Sequence, residues 1–228
     1  MKKYISSILN LNSFRRDYLD DFLVKYQYLF KGKVLDLGGK KINRRGKFIP
    51  PFDQVDSWKY LNNDKETEPD YCCDVEHIPL GDQCIDTVIM TEVLEYIPHP
   101  DKVFNEVYRV LQTNGHLLIS TPLLNPVHGD YWADRMRYTA VSLKEMLELA
   151  GFEVQSLEPM GSLGAVLFDI LRVAWGYANQ KKSRSLFSYL LPLFRPFFIL
   201  LDKLHPLQKE FINTGYFVIA KKLPMKDI

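Results

Sequence analysis

An aspartate and two glycines lie close together near the start of the chain. Asp36 follows the apolar pair Val34-Leu35, and Gly38 and Gly39 come two and three residues later. This order is typical of a buried parallel strand whose carboxyl end opens into a tight loop. Glycine has no Cβ, so a ligand can approach such a loop closely, and ligands of open α/β sheets bind outside the carboxyl ends of the strands. The segment therefore predicts a small-molecule site.

Two further acids follow short strand patterns. Asp64 comes about 20–30 residues after the glycines, where a carboxylate can accept hydrogen bonds from ribose hydroxyls. The sequence Asn62-Asn63-Asp64 also fits a plain polar turn. Asp74 follows the next strand pattern and is placed either to bond an adenine amino group or to cap the strand end. The residues alone leave both alternatives open.

A sheet is needed to bring these side chains together. Helical patterns cover 17–30 and 100–111, and a third helix is predicted from Ser142, which forms a capping box with Glu145. Strands are predicted at 34–37, 58–61, 71–73, 85–91, 116–120, 152–157 and 215–220. This alternation predicts an α/β fold with a doubly wound, mostly parallel sheet of seven strands.

One long segment interrupts the alternation. Residues 161–213 are rich in Leu and Phe and separate the last two strands. We therefore predict a core of residues 1–160 and 214–228, which includes an N-terminal helix, and an apolar helical insertion or cap at 161–213. Within it, 186–201 is too short and too interrupted by proline for a comfortable membrane span. A buried cap, a homodimer interface, and peripheral membrane contact through 181–204 all fit this segment.

Composition excludes several other classes. The net charge of +1 over 228 residues does not indicate a nucleic-acid partner. Cys72, Cys73 and Cys84 form an odd set without zinc spacing, so neither a disulfide framework nor a metal site is predicted. Polar residues interrupt the start of the chain, which does not resemble a signal peptide. We expect a cytoplasmic protein. The apolar segment also allows peripheral contact with a membrane.

Taken together, the motifs resemble those of class I S-adenosylmethionine-dependent methyltransferases. The matching segments are VLDLGG at 34–39, CDVEHIPL at 73–80, IDTVIMTEVLEYI at 85–97 and EVYRVLQTNGHLLISTP at 106–122. A fifth, HGDYWADRMRYT at 128–139, is similar to a stretch of methyltransferases found with surface-polysaccharide enzymes. The resemblance implies a Rossmann-like fold and S-adenosylmethionine as cofactor. It also implies methylation of an oxygen on a glycan, nucleotide-sugar or glycolipid precursor.

The resemblance also implies where the cofactor binds. Asp36, Gly38 and Gly39 would line its methionine end, and Asp64 would hold the ribose. Asp74 and Val75 would face the adenine, and Thr91 and Glu92 would border the cofactor.

Methyl transfer to a sugar hydroxyl benefits from a base, because that hydroxyl has a high pKa. His128 and Asp130 follow the fifth strand at the ligand edge and are the first candidates, and Glu95 is the next. A loop histidine that caps a turn is the alternative for His128. The acceptor-binding candidates are Arg135, Arg137 and Tyr138, although these can equally form a surface of ion pairs with nearby acids.

Two features depart from the family pattern. Lys40, Lys41 and Ile42 stand where a further glycine is usual, and the first helix after the loop is short or missing. A catalytically degenerate binding or scaffold protein is therefore an alternative function. The basic run at 40–47 is either a solvated loop or a phosphate contact. A dinucleotide-dependent oxidoreductase fits less well, because GGKKI is not G-x-G-x-x-G.

Overall fold

The fold is described from a computed structural model, which covers residues 12–42, 46–127, 133–177, 190–204 and 209–224. Its centre is a six-stranded sheet. The strands are β1 (Lys33–Leu37), β2 (Ser57–Leu61), β3 (Ile85–Thr91), β4 (Leu111–Pro122), β5 (Phe152–Pro159) and β6 (Gly215–Lys222). Their order across the sheet is β2-β1-β3-β4-β6-β5.

Four neighbouring strands run parallel, and the last strand runs against them. Strand β1 pairs in parallel with both β2 and β3, and β3 pairs in parallel with β4. Strand β6 is antiparallel to β4 and to β5. Parallel neighbours place their carboxyl ends at one edge, so the residues that follow β1, β2 and β3 meet there.

Helices cover both faces of the sheet, as a doubly wound fold requires. Leu19 and Leu23 of α1 (Phe14–Lys25) pack on one face against Trp58, Ile89 and Phe217. The opposite face is covered by α2 (Pro100–Val110) and α3 (Ala140–Leu149). Phe104 and Val107 of α2 and Leu147 of α3 are fully buried there.

Two local predictions need correction. The expected strand at Tyr71–Cys73 is reduced to a single bridge between Tyr71 and Leu61, so the sheet has six strands rather than seven in the described part of the chain. The capping box at Ser142 is also wrong. Thr139 caps α3 instead, because its hydroxyl accepts the Ser142 backbone N–H at 3.3 Å. The local pattern did not show which of two neighbouring hydroxyls would cap the helix.

Helices α4 (Leu163–Tyr177) and α5 (Arg195–Leu204) lie between β5 and β6 in the chain. They pack against the start of α1 in a small core of their own, where Phe14, Phe168 and Phe198 meet. The rings of Phe14 and Phe168 contact edge to face, with 4.8 Å between their centroids. The two helices thus pack on α1, which in turn covers one face of the sheet.

Candidate active site

A cavity of about 680 Å³ opens at the carboxyl edge of the parallel strands. Its volume falls in the range of about 300–1,000 Å³ that is usual for small-molecule sites. All eight residues that the sequence predicts for the cofactor line it: Asp36, Gly38, Gly39, Asp64, Asp74, Val75, Thr91 and Glu92. These residues come from four separate segments, and the fold brings them together around one space.

The two glycines of the loop after β1 are required by their neighbours. Gly38 has φ +76°, and a Cβ there would lie 2.2 Å from Cγ2 of Val93. A Cβ on Gly39 would collide with the Asp36 carboxylate, whose Oδ2 would be 2.4 Å away. The loop is therefore folded tightly over the end of β1, and both glycines serve this packing.

Asn62 holds the glycine loop from the neighbouring strand. It follows β2 directly and is 8% exposed. Its side-chain amide donates to the Gly38 and Gly39 carbonyls at 3.0 and 3.1 Å. Its Oδ1 accepts the Asp64 backbone N–H at 2.9 Å. Asn62 thereby fixes the geometry between the glycine loop and Asp64, a role that the sequence analysis did not assign.

Asp64 and Asp74 both line the cavity and both also make local turns. Asp64 Oδ1 accepts the Glu66 backbone N–H at 3.0 Å, and Asp74 Oδ1 accepts the Glu76 backbone N–H at 2.9 Å. Each carboxylate has several lone-pair positions, so one such bond leaves capacity for a ligand. The polar-turn alternative at Asp64 and the strand-end cap alternative at Asp74 are thus each compatible with ligand binding.

An ion pair joins two walls of the cavity. The Arg15 guanidinium on α1 pairs with the Glu92 carboxylate after β3. Ser120 Oγ holds the other Glu92 oxygen at 2.9 Å. Glu92 has φ 58°, in the left-handed region that non-glycine residues rarely adopt, and such backbone strain clusters at ligand sites. The cavity therefore presents a paired positive and negative charge.

Arg15 is held at the cavity by a carboxylate from α4. Asp169 accepts the backbone N–H groups of Phe14 and Arg15 at 2.8 and 3.1 Å, at the positive end of α1. Burial lowers the pKa of the Arg15 guanidinium to about 10, and the nearby Glu95 and Asp169 carboxylates oppose that shift. Arg15 therefore remains charged at neutral pH.

Glu95 lies beneath the cavity surface, in a 3₁₀ turn at Leu94–Tyr96. Its side chain is fully buried, and its carboxylate interacts electrostatically with Arg15 and Arg137. Its carbonyl accepts the backbone N–H groups of Arg135 and Met136 at 2.9 and 3.1 Å. This placement argues against Glu95 as a base that meets an acceptor, and it fits a charge that balances the two arginines.

The acceptor-binding candidates are separated in the structure. Arg135 is exposed, whereas Arg137 donates to Asp134 Oδ2 at 2.8 Å and so follows the ion-pair alternative. Tyr138 is packed in the main core, and its hydroxyl donates to the Leu94 carbonyl at 3.4 Å. The core position of Tyr138 does not support acceptor binding. His128 and Asp130 lie outside the described residues.

The basic run next to the glycine loop is mostly paired where it is described. Lys41 pairs with Asp70 at 2.9 Å and Lys47 with Asp17 at 3.3 Å. Lys40 lines the cavity. Arg44 and Arg45 lie outside the described residues. The pairing of Lys41 and Lys47 favours the solvated-loop interpretation for those two residues and leaves Lys40 as the phosphate-contact candidate.

The helical wall of the cavity was not anticipated from sequence. Arg15, Arg16, Asp20 and Leu23 of α1 line it, together with the aromatic side chains of Phe48 and Trp58. The clustered charges of α1 are the sequence signal, but a pattern of charges does not distinguish a cavity wall from a solvated helix face.

Comparison with known protein families now gives this cavity a context. Residues 45–119, about a third of the chain, match the family described as a methyltransferase domain. This part of the chain is thus similar to methyltransferase domains. The matched residues include β2, β3 and α2, and with them Asp64, Asp74, Thr91 and Glu92 of the cavity lining.

Curated relatives that match part of the chain are also methyltransferases. A stretch of 106 residues is 30% identical to an arsenite methyltransferase of Halobacterium salinarum and covers 42% of this chain and 27% of the relative. Another of 89 residues is 34% identical to a probable S-adenosylmethionine-dependent methyltransferase of Mycolicibacterium smegmatis and covers 34% of this chain and 32% of the relative. The chain thus matches about a third or less of the length of these relatives.

Solved structures share the fold over most of the chain. An S-adenosylmethionine-dependent methyltransferase from Archaeoglobus fulgidus superposes with a TM-score of 0.56 at 17% identity, over 91% of this chain and 94% of the other. The [4+2]-cyclase SpnF superposes with a TM-score of 0.60 at 19% identity, over 91% of this chain and 80% of the other. The similarity to methyltransferases implies S-adenosylmethionine as the cofactor, while the solved structures show the fold alone and the reaction must be argued from the site.

Proposed function

We propose that the protein transfers a methyl group from S-adenosylmethionine to an acceptor oxygen. The observation that carries this proposal is the single cavity around which all eight predicted cofactor residues lie. The methyltransferase relatives favour this catalytic function over the scaffold alternative.

The residues of the cavity fit the cofactor chemically. Carboxylates at Asp64 and Asp74 can accept hydrogen bonds from ribose hydroxyls and from an adenine amino group. The methionine end carries an ammonium and a carboxylate, and the Arg15–Glu92 pair offers the opposite charge to each. When bound, the cofactor supplies an electrophilic methyl group.

The acceptor we propose is a glycan, a nucleotide sugar or a glycolipid precursor. Support comes from the resemblance of residues 128–139 and from Ala133 of that segment, which lines the cavity with Tyr96 and Pro98. A wall from this segment beside Thr91 can orient a hydroxyl group, and such positioning supplies a large part of the rate in transfer reactions.

The chain must also take the hydroxyl proton when the acceptor is a sugar. We propose His128 and Asp130 for this role, because the burial of Glu95 sets that carboxylate back from the cavity. A positioned base of this kind typically contributes about 10²–10⁴-fold to the rate.

Isothermal titration with S-adenosylmethionine and with its demethylated product tests the cofactor assignment. We expect both to bind the intact chain, and Asp64→Asn to weaken both about tenfold or more, because a hydrogen bond to a charged group contributes about 1.5–3 kcal/mol. Asparagine can still cap the turn that Asp64 begins, so the loss would report on the ligand.

The matched control is Glu153→Gln, which makes the same kind of change at an exposed acid of β5. It should bind both ligands as the unmodified chain does. If the unmodified chain binds neither ligand, the proposed function is wrong. If Asp64→Asn binds as tightly as the unmodified chain, the cofactor assignment of Asp64 is wrong.

A further inference from the structure

On helix α5 and the turn that leads into it, charged residues are buried and several apolar residues are exposed. The charged residues Arg195 and Asp202 are buried, at 4% and 5% exposure. Phe198 is buried as well, but four apolar residues face outward: Leu193, Phe197, Leu200 and Leu204 are all more than half exposed. Their spacing of four, three and four residues places them on one side of a helix. We call Leu193, Phe194, Phe197, Leu200 and Leu204 the α5 face.

The inward charges of α5 are used to hold the helix in place. Asp202 accepts the Ser162 hydroxyl at 2.7 Å, the Ala165 backbone N–H at 2.9 Å and the Tyr18 hydroxyl at 2.7 Å. Arg195 pairs with Asp17 and donates to the Asn12 carbonyl at 2.9 Å. Because these bonds fix the rotation of α5 about its axis, the outward direction of its apolar side chains is built into the fold.

The α5 face is larger than scattered exposed residues would explain. Its five members include two phenylalanines that are 55% and 57% exposed. On the neighbouring helix, Leu167 and Ile170 are exposed as well. Contiguous apolar surface of this kind on a folded domain marks a contact with a membrane or another protein.

Basic residues precede and follow the exposed apolar side chains in the sequence. Between α4 and α5 the sequence contains Lys181, Lys182 and Arg184 and no Asp or Glu. In the described part of α5, Lys203 is an exposed charge next to the apolar residues. The charged side chain that is exposed on α5 is therefore basic, and the sequence that leads into α5 adds three more basic residues.

We infer that the α5 face binds the surface of an anionic lipid bilayer. An interfacial helix of this kind buries its apolar side chains about 5–10 Å into the boundary between headgroups and acyl chains, and nearby basic side chains attract anionic headgroups. Among the described residues, no helix is both long enough and apolar enough to cross a bilayer. The contact we infer is therefore at the surface.

A second copy of the chain fits the α5 face less well. A two-fold interface brings the same patch of both copies together, so the Lys203 ammonium groups of the two copies would come close to each other. Like charges opposed at an interface cost several kcal/mol. An anionic surface instead complements them.

The α5 face stands next to the helix that forms a wall of the cavity. Phe14 of α1 packs against α4 and α5, while Arg15 of the same helix lines the cavity. A chain docked through α5 would thus hold α1, one wall of the cavity, next to the docked helix. The membrane inference itself rests on the α5 face and stands whether or not the cavity performs methyl transfer.

Flotation of the full chain with vesicles tests the inference. Vesicles of phosphatidylcholine alone and of phosphatidylcholine mixed with phosphatidylglycerol provide the neutral and anionic surfaces. We expect the unmodified chain to float with the anionic vesicles, with a bound fraction that falls as salt is raised. The double variant Phe197→Glu/Leu200→Glu should bind them at least about tenfold more weakly. It removes two apolar side chains that would enter the bilayer, and it adds two negative charges that the anionic headgroups repel.

The matched control is Leu149→Glu, at an apolar residue that is 88% exposed at the end of α3. It should float as the unmodified chain does. Absence of flotation with anionic vesicles, or equal flotation of the double variant, would overturn the inference. A concentration-dependent dimer that the double variant converts to monomer would also overturn it and assign the α5 face to a second copy.

Cofactor titration of the double variant separates this result from the proposed function. Its affinity for S-adenosylmethionine should equal that of the unmodified chain, since Phe197 and Leu200 are exposed and do not line the cavity. Retained cofactor binding with lost flotation is the pattern that the inference requires.

Discussion

The cavity and the α5 face place their charges in opposite ways. In the cavity, the Arg15–Glu92 pair and several carboxylates face a space that a ligand can enter. On α5, Arg195 and Asp202 point into the protein, and apolar side chains face outward. Both regions contain buried or half-buried ion pairs, so the presence of such pairs does not identify a binding site. The direction in which the pair faces decides whether its charges can meet a ligand.

The two regions also share a structural element. Helix α1 contributes Arg15 to the cavity wall and Tyr18 to the bond with Asp202 on α5. A change that loosens α5 is therefore expected to reach the cavity through α1, whereas a change in the glycine loop should remain local. The following predictions test that asymmetry.

The largest effect is expected for Asp202→Ala. This change leaves the Tyr18 and Ser162 hydroxyls and the Ala165 backbone N–H without their acceptor. Unfolding in urea should show a loss of about 3 kcal/mol in the free energy of unfolding, as breaking a buried charged network costs about 3–5 kcal/mol. Affinity for S-adenosylmethionine should fall as well, because α1 loses a support.

Asp82→Ala is the matched control, since Asp82 pairs with Arg109 at 2.8 Å and its side chain is 72% exposed. Surface pairs contribute about 0–1 kcal/mol, so the stability should barely change. Equal losses in the two variants would contradict the structural role of the buried carboxylate.

The next effect is expected for Gly38→Ala. The added methyl group would lie 2.2 Å from the Val93 side chain, at a φ of +76°. We expect a loss of about 2 kcal/mol in stability from overpacking and backbone strain, together with loss of cofactor binding as the loop moves. Thermal unfolding and calorimetric titration measure the two consequences.

Gly81→Ala provides the comparison, because a Cβ there would meet no atom within 4 Å. It should leave both stability and cofactor binding almost unchanged. A Gly38→Ala variant that binds the cofactor normally would show that the loop is not part of the site.

A smaller effect is expected for Asn62→Ala, which removes the two bonds to the glycine carbonyls. The dissociation constant for S-adenosylmethionine should rise by about three- to tenfold, since each net hydrogen bond contributes about 0.5–1.5 kcal/mol. Asn105→Ala, at an exposed position of α2, should not change it. Should both variants bind alike, Asn62 would not be a positioning residue of the site.

The smallest effect concerns His116 on β4, away from both regions. Burial lowers the pKa of His116 below its usual 6.5, and the charges of Lys221 and Lys31 lower it further. The unfolded chain therefore takes up a proton at a higher pH than the folded chain. Stability should fall as the pH drops below about 6.5 and should be fully present above it.

His116→Gln should flatten this dependence when the free energy of unfolding is measured between about pH 5 and about pH 8. Cofactor affinity at neutral pH should not change, because His116 is not in the cavity lining of the described chain. An unchanged pH profile would show that another group causes the loss of stability at low pH.

Local sequence patterns predicted the parts of the fold that neighbouring residues determine. The strand at Ile85–Thr91 has the predicted bounds, and helix α2 begins at Pro100 as predicted. The helix expected over 17–30 lies at Phe14–Lys25, and the bounds of several strands extend beyond the predicted residues. These errors occur at element ends, where tertiary contacts select one of several acceptable caps.

The amino-acid sequence by itself determined the order of the strands along the chain and the acids and glycines at their tips. A buried strand requires an apolar run and a tight loop requires glycine, so both requirements are visible in neighbouring residues. Only the tertiary structure decided that Arg15 meets Glu92 and that Tyr18 meets Asp202 across 184 positions. A charged side chain has the same local pattern whether it faces water, a ligand or a buried partner, and distant segments must pack before its surroundings are defined.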